Sequence, residues 1–147
     1  MFSTPTLRRV AMAKMLGLLV GIAAAWSLLT MSSISMSVAL GVAGWFLTMG
    51  ALIGVIGYMT HIPQFNFPLP VWARGGWIGL WMGLILVLLA HTPLAAAFAE
   101  ITWLPEFLRS PWWFLVDAVL AGMLIDVVVT KVTGPIDWPE SGLSDPV

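Results

Sequence analysis

Two aspartates, Asp117 and Asp126, interrupt an otherwise apolar stretch of membrane-spanning length that runs from Ser110 to Lys131. A carboxylate in hydrocarbon costs about 2.5–3.5 kcal/mol on insertion scales, so each aspartate needs a polar partner or a function. The two lie nine residues apart, which is about 2.5 turns of α-helix, so they should face nearly opposite sides of it. This spacing argues against a paired-carboxylate site and against direct proton transfer between the two groups.

The sequence offers two partners for Asp117 on its own side of the membrane, His91 and Arg109. A structural contact with one of them, or with a tryptophan N–H, is the simpler interpretation. The functional interpretation is proton or ion handling, because an Asp117–His91 pair could exchange a proton near neutral pH. A polar contact between Asp117 and another subunit is a further alternative.

The simpler interpretation of Asp126 is a carboxylate that reaches back to the nearby membrane surface, close to Lys131 or Arg74. The two histidines, His61 and His91, fall at opposite ends of their spans, so they cannot ligate one metal ion or one haem together. A single histidine could still ligate a haem or a chlorin, although a structural histidine is the simpler interpretation. We predict no metal site. The sequence contains no catalytic triad order, phosphate-binding glycine loop or HExxH motif, so we predict no catalytic residue and identify no cofactor.

The composition indicates that lipid surrounds most of this chain. Of the 147 residues, 60% are hydrophobic and 9% are charged, against about 45–50% and about 25% in soluble domains. The net charge of −1 argues against a nucleic-acid partner, which requires a basic surface. The absence of cysteine excludes disulfides and thiolate chemistry.

Four apolar segments are long enough to cross the membrane, and unbroken apolar runs of this length predict α-helices rather than strands. We therefore predict an all-α integral membrane protein with a four-helix transmembrane domain over 15–131, between a cytoplasmic segment (1–14) and a polar, acidic tail (132–147). A short interfacial helix is expected over Ala95–Leu104, between spans three and four. The predicted spans are 15–31, 34–59, 75–95 and 111–130.

Small residues at four-residue spacing should form smooth stripes along the helices, because close backbone approach drives helix association in lipid. The short connections predict two antiparallel helical hairpins. The second hairpin resembles the first, since "GLLVG" at 17 matches "GLWMG" at 79, and "WFLTMGALIG" at 45 matches "WFLVDAVLAG" at 113. A parallel internal repeat of the hairpin would explain both matches. The predicted packing glycines are Gly17, Gly21, Gly50, Gly54, Gly79, Gly83 and Gly122.

Basic residues predict the orientation, because they are enriched in cytoplasmic loops. Five of the six fall on one side of the predicted topology, and only Arg109 falls on the other. Both termini should therefore be cytoplasmic, and we predict a location in a bacterial inner membrane. The five residues are Arg8, Arg9, Lys14, Arg74 and Lys131.

Three classes of function fit these features. A non-catalytic structural or accessory subunit of a larger membrane complex is the leading prediction, from the glycine stripes, the nine tryptophans and the polar tail. The alternative is a small proton- or ion-coupled transporter or channel that acts as an oligomer and uses Asp117 and His91. An enzyme acting on lipid or quinone is the least favoured class. The predicted partners are the lipid bilayer and either other membrane subunits or a second copy.

Overall fold

The computed structural model describes residues 4–57, 61–62, 67–68 and 70–134, and this part of the chain is almost entirely helical. Two-residue strands pair in the connection between the second and third helices, where His61 lies opposite Pro68 and Ile62 opposite Phe67. The elements are α1 (Thr4–Leu29), α2 (Met36–Ile56), β1 (His61–Ile62), β2 (Phe67–Pro68), α3 (Val71–Leu89), α4 (His91–Glu100), a 3₁₀-helix (Glu106–Arg109) and α5 (Trp113–Thr133).

Four of these helices are long and apolar enough to cross a membrane. They have 19 to 24 residues within the apolar spans. At 1.5 Å per residue their length is about 28–36 Å, which matches the roughly 30 Å thickness of the hydrocarbon core. The prediction of a helical fold with four helices of membrane-spanning length and composition is confirmed. The spans are Thr6–Leu29, Met36–Ile56, Val71–Leu89 and Trp113–Thr133.

The first helix is longer than the predicted span, since α1 begins at Thr4 rather than near residue 15. The basic residues that precede the apolar run are good helix formers, so nothing in this segment stops the helix. The helical extension carries Arg9 into the interior of the bundle, where its side chain is only 1% exposed.

The short helix after the third span was predicted at the wrong position. α3 ends at Leu89, and α4 occupies His91–Glu100 instead of Ala95–Leu104. Proline is tolerated in the first turn of a helix, where its missing N–H leaves no hydrogen bond unmade, so Pro93 does not prevent α4 from starting at His91. At the other end, α5 continues to Thr133. The rest of the predicted tail, residues 135–147, lies outside the described residues.

Glycines bring the helices into close contact in two pairs. Gly17 of α1 lies against Gly50 and the carbonyl oxygen of Phe46 in α2, and Gly79 of α3 lies against Ala118 of α5. All seven predicted packing glycines lie at such helix–helix contacts within the chain. Between the pairs, the rings of Phe46 and Phe114 meet with their centroids 6.0 Å apart. The other buried side chains of this hydrophobic core are aliphatic or methionine.

Candidate functional site

A buried ion cluster joins three helices at one end of the bundle. Arg9 of α1 donates from Nη2 to Oδ1 of Asp126 in α5 at 2.8 Å, and also to the Thr130 hydroxyl at 3.1 Å. Arg74, at the start of α3, donates from Nε to Oδ2 of the same aspartate at 3.3 Å. Both carboxylate oxygens of Asp126 are therefore engaged by guanidinium groups. We call this end of the molecule the Arg9 end.

The cluster is closed to the surroundings of the protein. Asp126 is 1% exposed and Arg74 is 5% exposed. Arg74 also donates from Nη1 to the carbonyl oxygen of Gly57 at 3.2 Å, which ties the end of α2 to the cluster. A buried charge is tolerable only when it is paired and hydrogen-bonded, and two cations around one carboxylate meet this requirement for Asp126.

Small residues beside the cluster allow the charged groups to meet. A Cβ atom at Gly75 would collide with the carbonyl oxygen of Gly122 and would lie 2.8 Å from the Asp126 Cβ. A Cβ atom at Gly57 would collide with the guanidinium group of Arg9. The approach of α3 to α5, and of α1 to the end of α2, therefore depends on the absence of side chains at these two positions.

The structure corrects the interpretation of Asp126. The expected partner Arg74 is present, but the carboxylate is buried inside the bundle, and Lys131 is exposed rather than bound to it. Arg9 was not predicted as a partner. A signal for it exists in the sequence, because Arg9 lies four residues before Ala13 and eight before Gly17, on the small-residue face that packs against α2.

Asp117 has the opposite environment. Its side chain is exposed on α5, and among the described residues no hydrogen-bond or ion-pair partner approaches it. The helix places it on the face away from Asp126, as the nine-residue spacing predicts. Asp117 is the fifth residue of α5, so it lies about 6 Å along the helix from its first residue.

The expected partners of Asp117 lie elsewhere. Arg109 donates to the carbonyl oxygens of Leu104 and Thr102, at 2.9 and 2.7 Å. His91 is exposed at the start of α4, and the side chain of His61 lies outside the described residues. The predicted Asp117–His91 pair is therefore not formed within the described part of the chain.

A third acid, Glu100, connects two segments by hydrogen bonds at the opposite end of the bundle, which we call the Glu100 end. Its carboxylate accepts hydrogen bonds from the backbone N–H groups of Ser32 and Ser33, at 2.8 and 2.7 Å, and from the Ser32 hydroxyl at 3.1 Å. Hydrogen bonds from Ser33 and Ser32 hold the pKa of Glu100 below its usual value because they favour the carboxylate form. The end of α4 is thereby tied to the turn between α1 and α2.

Within the described ranges, no group of three histidine, aspartate or glutamate side chains is placed to hold a metal ion. The polar groups instead lie in three places. Arg9, Arg74 and Asp126 form a buried ion cluster, Asp117 is an isolated carboxylate on the exposed face of α5, and Glu100 binds the turn between α1 and α2. No known protein family, curated protein or solved structure matches the chain.

Proposed function

We propose that this protein is a non-catalytic subunit of a larger membrane complex, and that it contacts its partner through the exposed face of α5 around Asp117. The exposed carboxylate of Asp117 within a membrane-spanning helix carries this proposal. Charged groups inside a membrane almost always face a bundle interior, a water-filled cavity or a polar partner. Asp117 has none of these among the described residues, so a donor from another molecule is expected to complete its environment.

The surroundings of Asp117 support a helical partner. Four apolar side chains on the same stripe of α5 are exposed, at the spacing of three, four and seven residues that defines one helix face. The opposite face of α5 is used for packing inside the chain, through Ala118 and Gly122. The exposed residues are Trp113, Val116, Leu120 and Leu124. A partner helix with apolar side chains and one cationic or N–H donor near Asp117 would fit this stripe.

The distribution of buried polar groups favours a subunit over a transporter formed by one chain. Among the described residues, the buried polar or charged side chains are Thr6, Arg9, Arg74 and Asp126. The three ionised groups in this set bind one another at the Arg9 end. An ion or proton path needs polar groups through the whole thickness of the membrane, and the rest of the described core is apolar.

We further propose that the Arg9 end faces the cytoplasm of a bacterium and that the protein resides in the inner membrane. The support is the basic-residue asymmetry, since Arg8, Lys14 and Lys131 are exposed near this end and cytoplasmic flanks are rich in such residues. On this orientation, Asp117 lies in the outer half of the membrane.

We also propose that the two hairpins arose by duplication. The aligned positions make corresponding contacts: Gly17 meets Gly50 in the first hairpin, and Gly79 meets Ala118 in the second. The residue offset is 62 for the first helix of each pair and 68 for the second. Likewise, the contact of Gly54 with Ala13 corresponds to that of Gly122 with Gly75.

The contact between Phe46 and Phe114 supports the same symmetry. These residues occupy equivalent positions in the two "WFL" motifs, and their rings lie 6.0 Å apart at an interplanar angle of 58°. A twofold axis brings equivalent residues together where it passes between them. In this arrangement α4 lies within the longer connection of the second copy, and Asp117 corresponds to Met49 of the first copy.

Photo-crosslinking in native membranes tests the subunit proposal. A photo-reactive residue in place of Leu120 should crosslink to a different membrane protein, at a helix that carries an arginine, lysine or histidine within one turn of the crosslink. The matched control replaces Leu40, which is equally apolar and exposed on α2. Asp117→Leu should reduce the crosslink at position 120 several-fold, and Asp117→Glu should retain it.

Two results would contradict this proposal. Crosslinking to lipid alone at both positions would leave the α5 face without a protein partner. Crosslinking at position 120 to a second copy of the chain would instead favour the oligomeric transporter or channel. In that case, Asp117→Asn should abolish proton or ion flux in liposomes while the oligomer still assembles.

A further inference from the structure

A pocket opens at the Glu100 end, between the last turns of α1 and the segment that follows α4. Its volume is about 430 Å³. Two tryptophans, Trp26 and Trp103, form part of its wall, and Glu100 with the hydroxyl groups of Ser27 and Thr30 supplies the polar part. The pocket lies away from the ion cluster and does not depend on the exposed face of α5.

The polar groups of this pocket present acceptors to a ligand. The Ser27 hydroxyl donates a hydrogen bond to the carbonyl oxygen of Ala23 at 3.0 Å, and the Thr30 hydroxyl donates one to the carbonyl oxygen of Ser27 at 2.7 Å. The oxygen atoms of both hydroxyls therefore remain as acceptors for a third group. Glu100 is the one charged residue in the lining, so the pocket is complementary to a cation with N–H donors.

The carboxylate of Glu100 is held in place before any ligand arrives. Three hydrogen bonds from Ser32 and Ser33 fix its position, and each carboxylate oxygen can accept more than one hydrogen bond. These bonds also keep the pKa of Glu100 low, so the negative charge persists in mildly acidic conditions. A fixed charge avoids the ordering cost that a mobile side chain would add to binding.

The tryptophans complete a site for an ammonium group. Trp26 is 74% exposed and Trp103 is 82% exposed, so their ring faces are available to a ligand. A cation over the face of an exposed indole ring gains roughly 2- to 5-fold in affinity. Neither indole N–H has an acceptor among the described residues, and each could donate to an anionic group beside the ammonium.

The position of the pocket points to a lipid rather than a dissolved amine. Trp26 belongs to a membrane-spanning helix, and Ile22 and Leu29 are exposed on the same face of α1. Acyl chains could lie along this apolar face while the headgroup occupies the pocket. Tryptophan also favours the headgroup region of the bilayer, where one edge of the ring is apolar and the other is hydrated.

We propose that this pocket binds the ammonium headgroup of an amine-bearing phospholipid, of which phosphatidylethanolamine is the simplest. Glu100 would bind the ammonium group, Trp26 and Trp103 would enclose it, and the indole N–H groups would face the phosphate. The protein would thereby hold a lipid at its rim, between the α1–α2 turn and the end of α4.

Native mass spectrometry of the full-length protein in detergent tests this proposal. The protein is titrated with phosphatidylethanolamine and, separately, with phosphatidylglycerol of the same acyl chains. The wild type should bind the first lipid at least about 5-fold more tightly, from the cation–π gain together with the carboxylate. Trp103→Leu should reduce this preference by about 2- to 5-fold. Glu100→Gln should also reduce it, because only the cation–π contribution of the tryptophans then remains.

The controls separate recognition from loss of folding. Trp103 makes no hydrogen bond within the described chain, so its replacement should leave the helical content unchanged. Trp72→Leu removes a tryptophan that is 56% exposed at the Arg9 end, and it should not alter the lipid preference. Equal binding of the two lipids, or a preference that is undiminished in both Trp103→Leu and Glu100→Gln, would overturn the proposal. Full competition by equimolar soluble glycerophosphoethanolamine would assign the pocket to a free amine, against a lipid.

Discussion

The two aspartates of α5 show how strongly position on a helix decides the environment of a charge. Asp126 is buried, with two guanidinium groups and the Thr130 hydroxyl around its carboxylate. Asp117, nine residues earlier on the same helix, is exposed without a partner in the described chain. The difference follows from the packing stripe: Ala118, Gly122 and Asp126 succeed one another at four-residue intervals on the face that meets α3.

This contrast separates two roles for an acid in a membrane protein. Asp126 connects the ends of several helices, because its carboxylate binds both Arg9 and Arg74. Arg74 in turn donates to the carbonyl oxygen of Gly57 at the end of α2. Removing such a group leaves buried cations unneutralised, whereas removing an exposed acid leaves no buried polar group without a partner. The stability of the isolated protein should therefore depend on Asp126, and its association with a partner on Asp117.

The largest predicted effect is the loss of stability in Asp126→Ala. This change leaves two buried arginines without a neutralising carboxylate. Removing one partner of a buried ion pair typically costs about 3–5 kcal/mol. We expect a decrease of this size in the free energy of unfolding, measured by denaturation in mixed detergent micelles. Asp117→Ala is the matched control on the same helix, and it should change the free energy by less than about 1 kcal/mol, as is usual for surface substitutions.

Removal of all three charges sharpens this prediction. The triple variant Arg9→Met, Arg74→Met and Asp126→Leu should be more stable than Asp126→Ala alone, because apolar replacement of a whole buried ion cluster is often neutral or stabilising. If the triple variant were the less stable of the two, the unneutralised arginines would not be the cause of the instability of Asp126→Ala. If Asp117→Ala lowered the free energy of unfolding as much as Asp126→Ala, the contrast between the two aspartates would be wrong.

The next largest effect concerns the backbone approach that holds Asp126 in place. Gly75→Ala would press a methyl group against the carbonyl oxygen of Gly122 and the Cβ of Asp126, and overpacking of this kind costs about 1–3 kcal/mol. The control is Gly41→Ala on α2, where a Cβ meets nothing within 4 Å and the higher helix propensity of alanine should leave stability unchanged or slightly increased. Equal thermal stability of the two variants would show that α3 and α5 do not meet closely at Gly75.

Much of the fold is predictable because lipid imposes a simple pattern. Apolar length predicts four spans, and the glycine stripes predict the close contacts that Gly17 and Gly79 make. The helix ends are less predictable, because a hydropathy pattern marks where the apolar run begins and not where hydrogen bonding stops. The start of α1 at Thr4 and the break at Ala90 both show this difference.

The candidate sites also contain features that the sequence predicts and one that it does not. The opposite faces of Asp117 and Asp126 follow from helical geometry alone, and Arg74 could be named as a partner from its place in the topology. Arg9 was missed because basic residues before a first span are usually assigned to the cytoplasmic flank. Extending the small-residue stripe by one turn, from Ala13 back to Arg9, would have placed its side chain in the interior.

The smallest predicted effect concerns Glu100, an exposed acid that has the donors that Asp117 lacks. Because hydrogen bonds lower the pKa of Glu100 in the folded protein, the folded state gains from them above the ordinary pKa of a glutamate and loses this gain as the pH falls through the lowered value. Acidification should therefore release the backbone N–H groups of Ser32 and Ser33. Their amide chemical shifts, measured by NMR in nanodiscs, should titrate together below the usual glutamate range.

Two variants determine whether Glu100 is the titrating group. Glu100→Gln removes the carboxylate, so the amide signals of Ser32 and Ser33 should no longer change with pH in this range. Glu106→Gln removes another exposed acid at the same end, from the 3₁₀-helix, and should leave the titration as it is in the wild type. A transition that persists in Glu100→Gln would mean that a different group holds the α1–α2 turn. Glu100 would then resemble Asp117, as an exposed carboxylate that does not stabilise the fold.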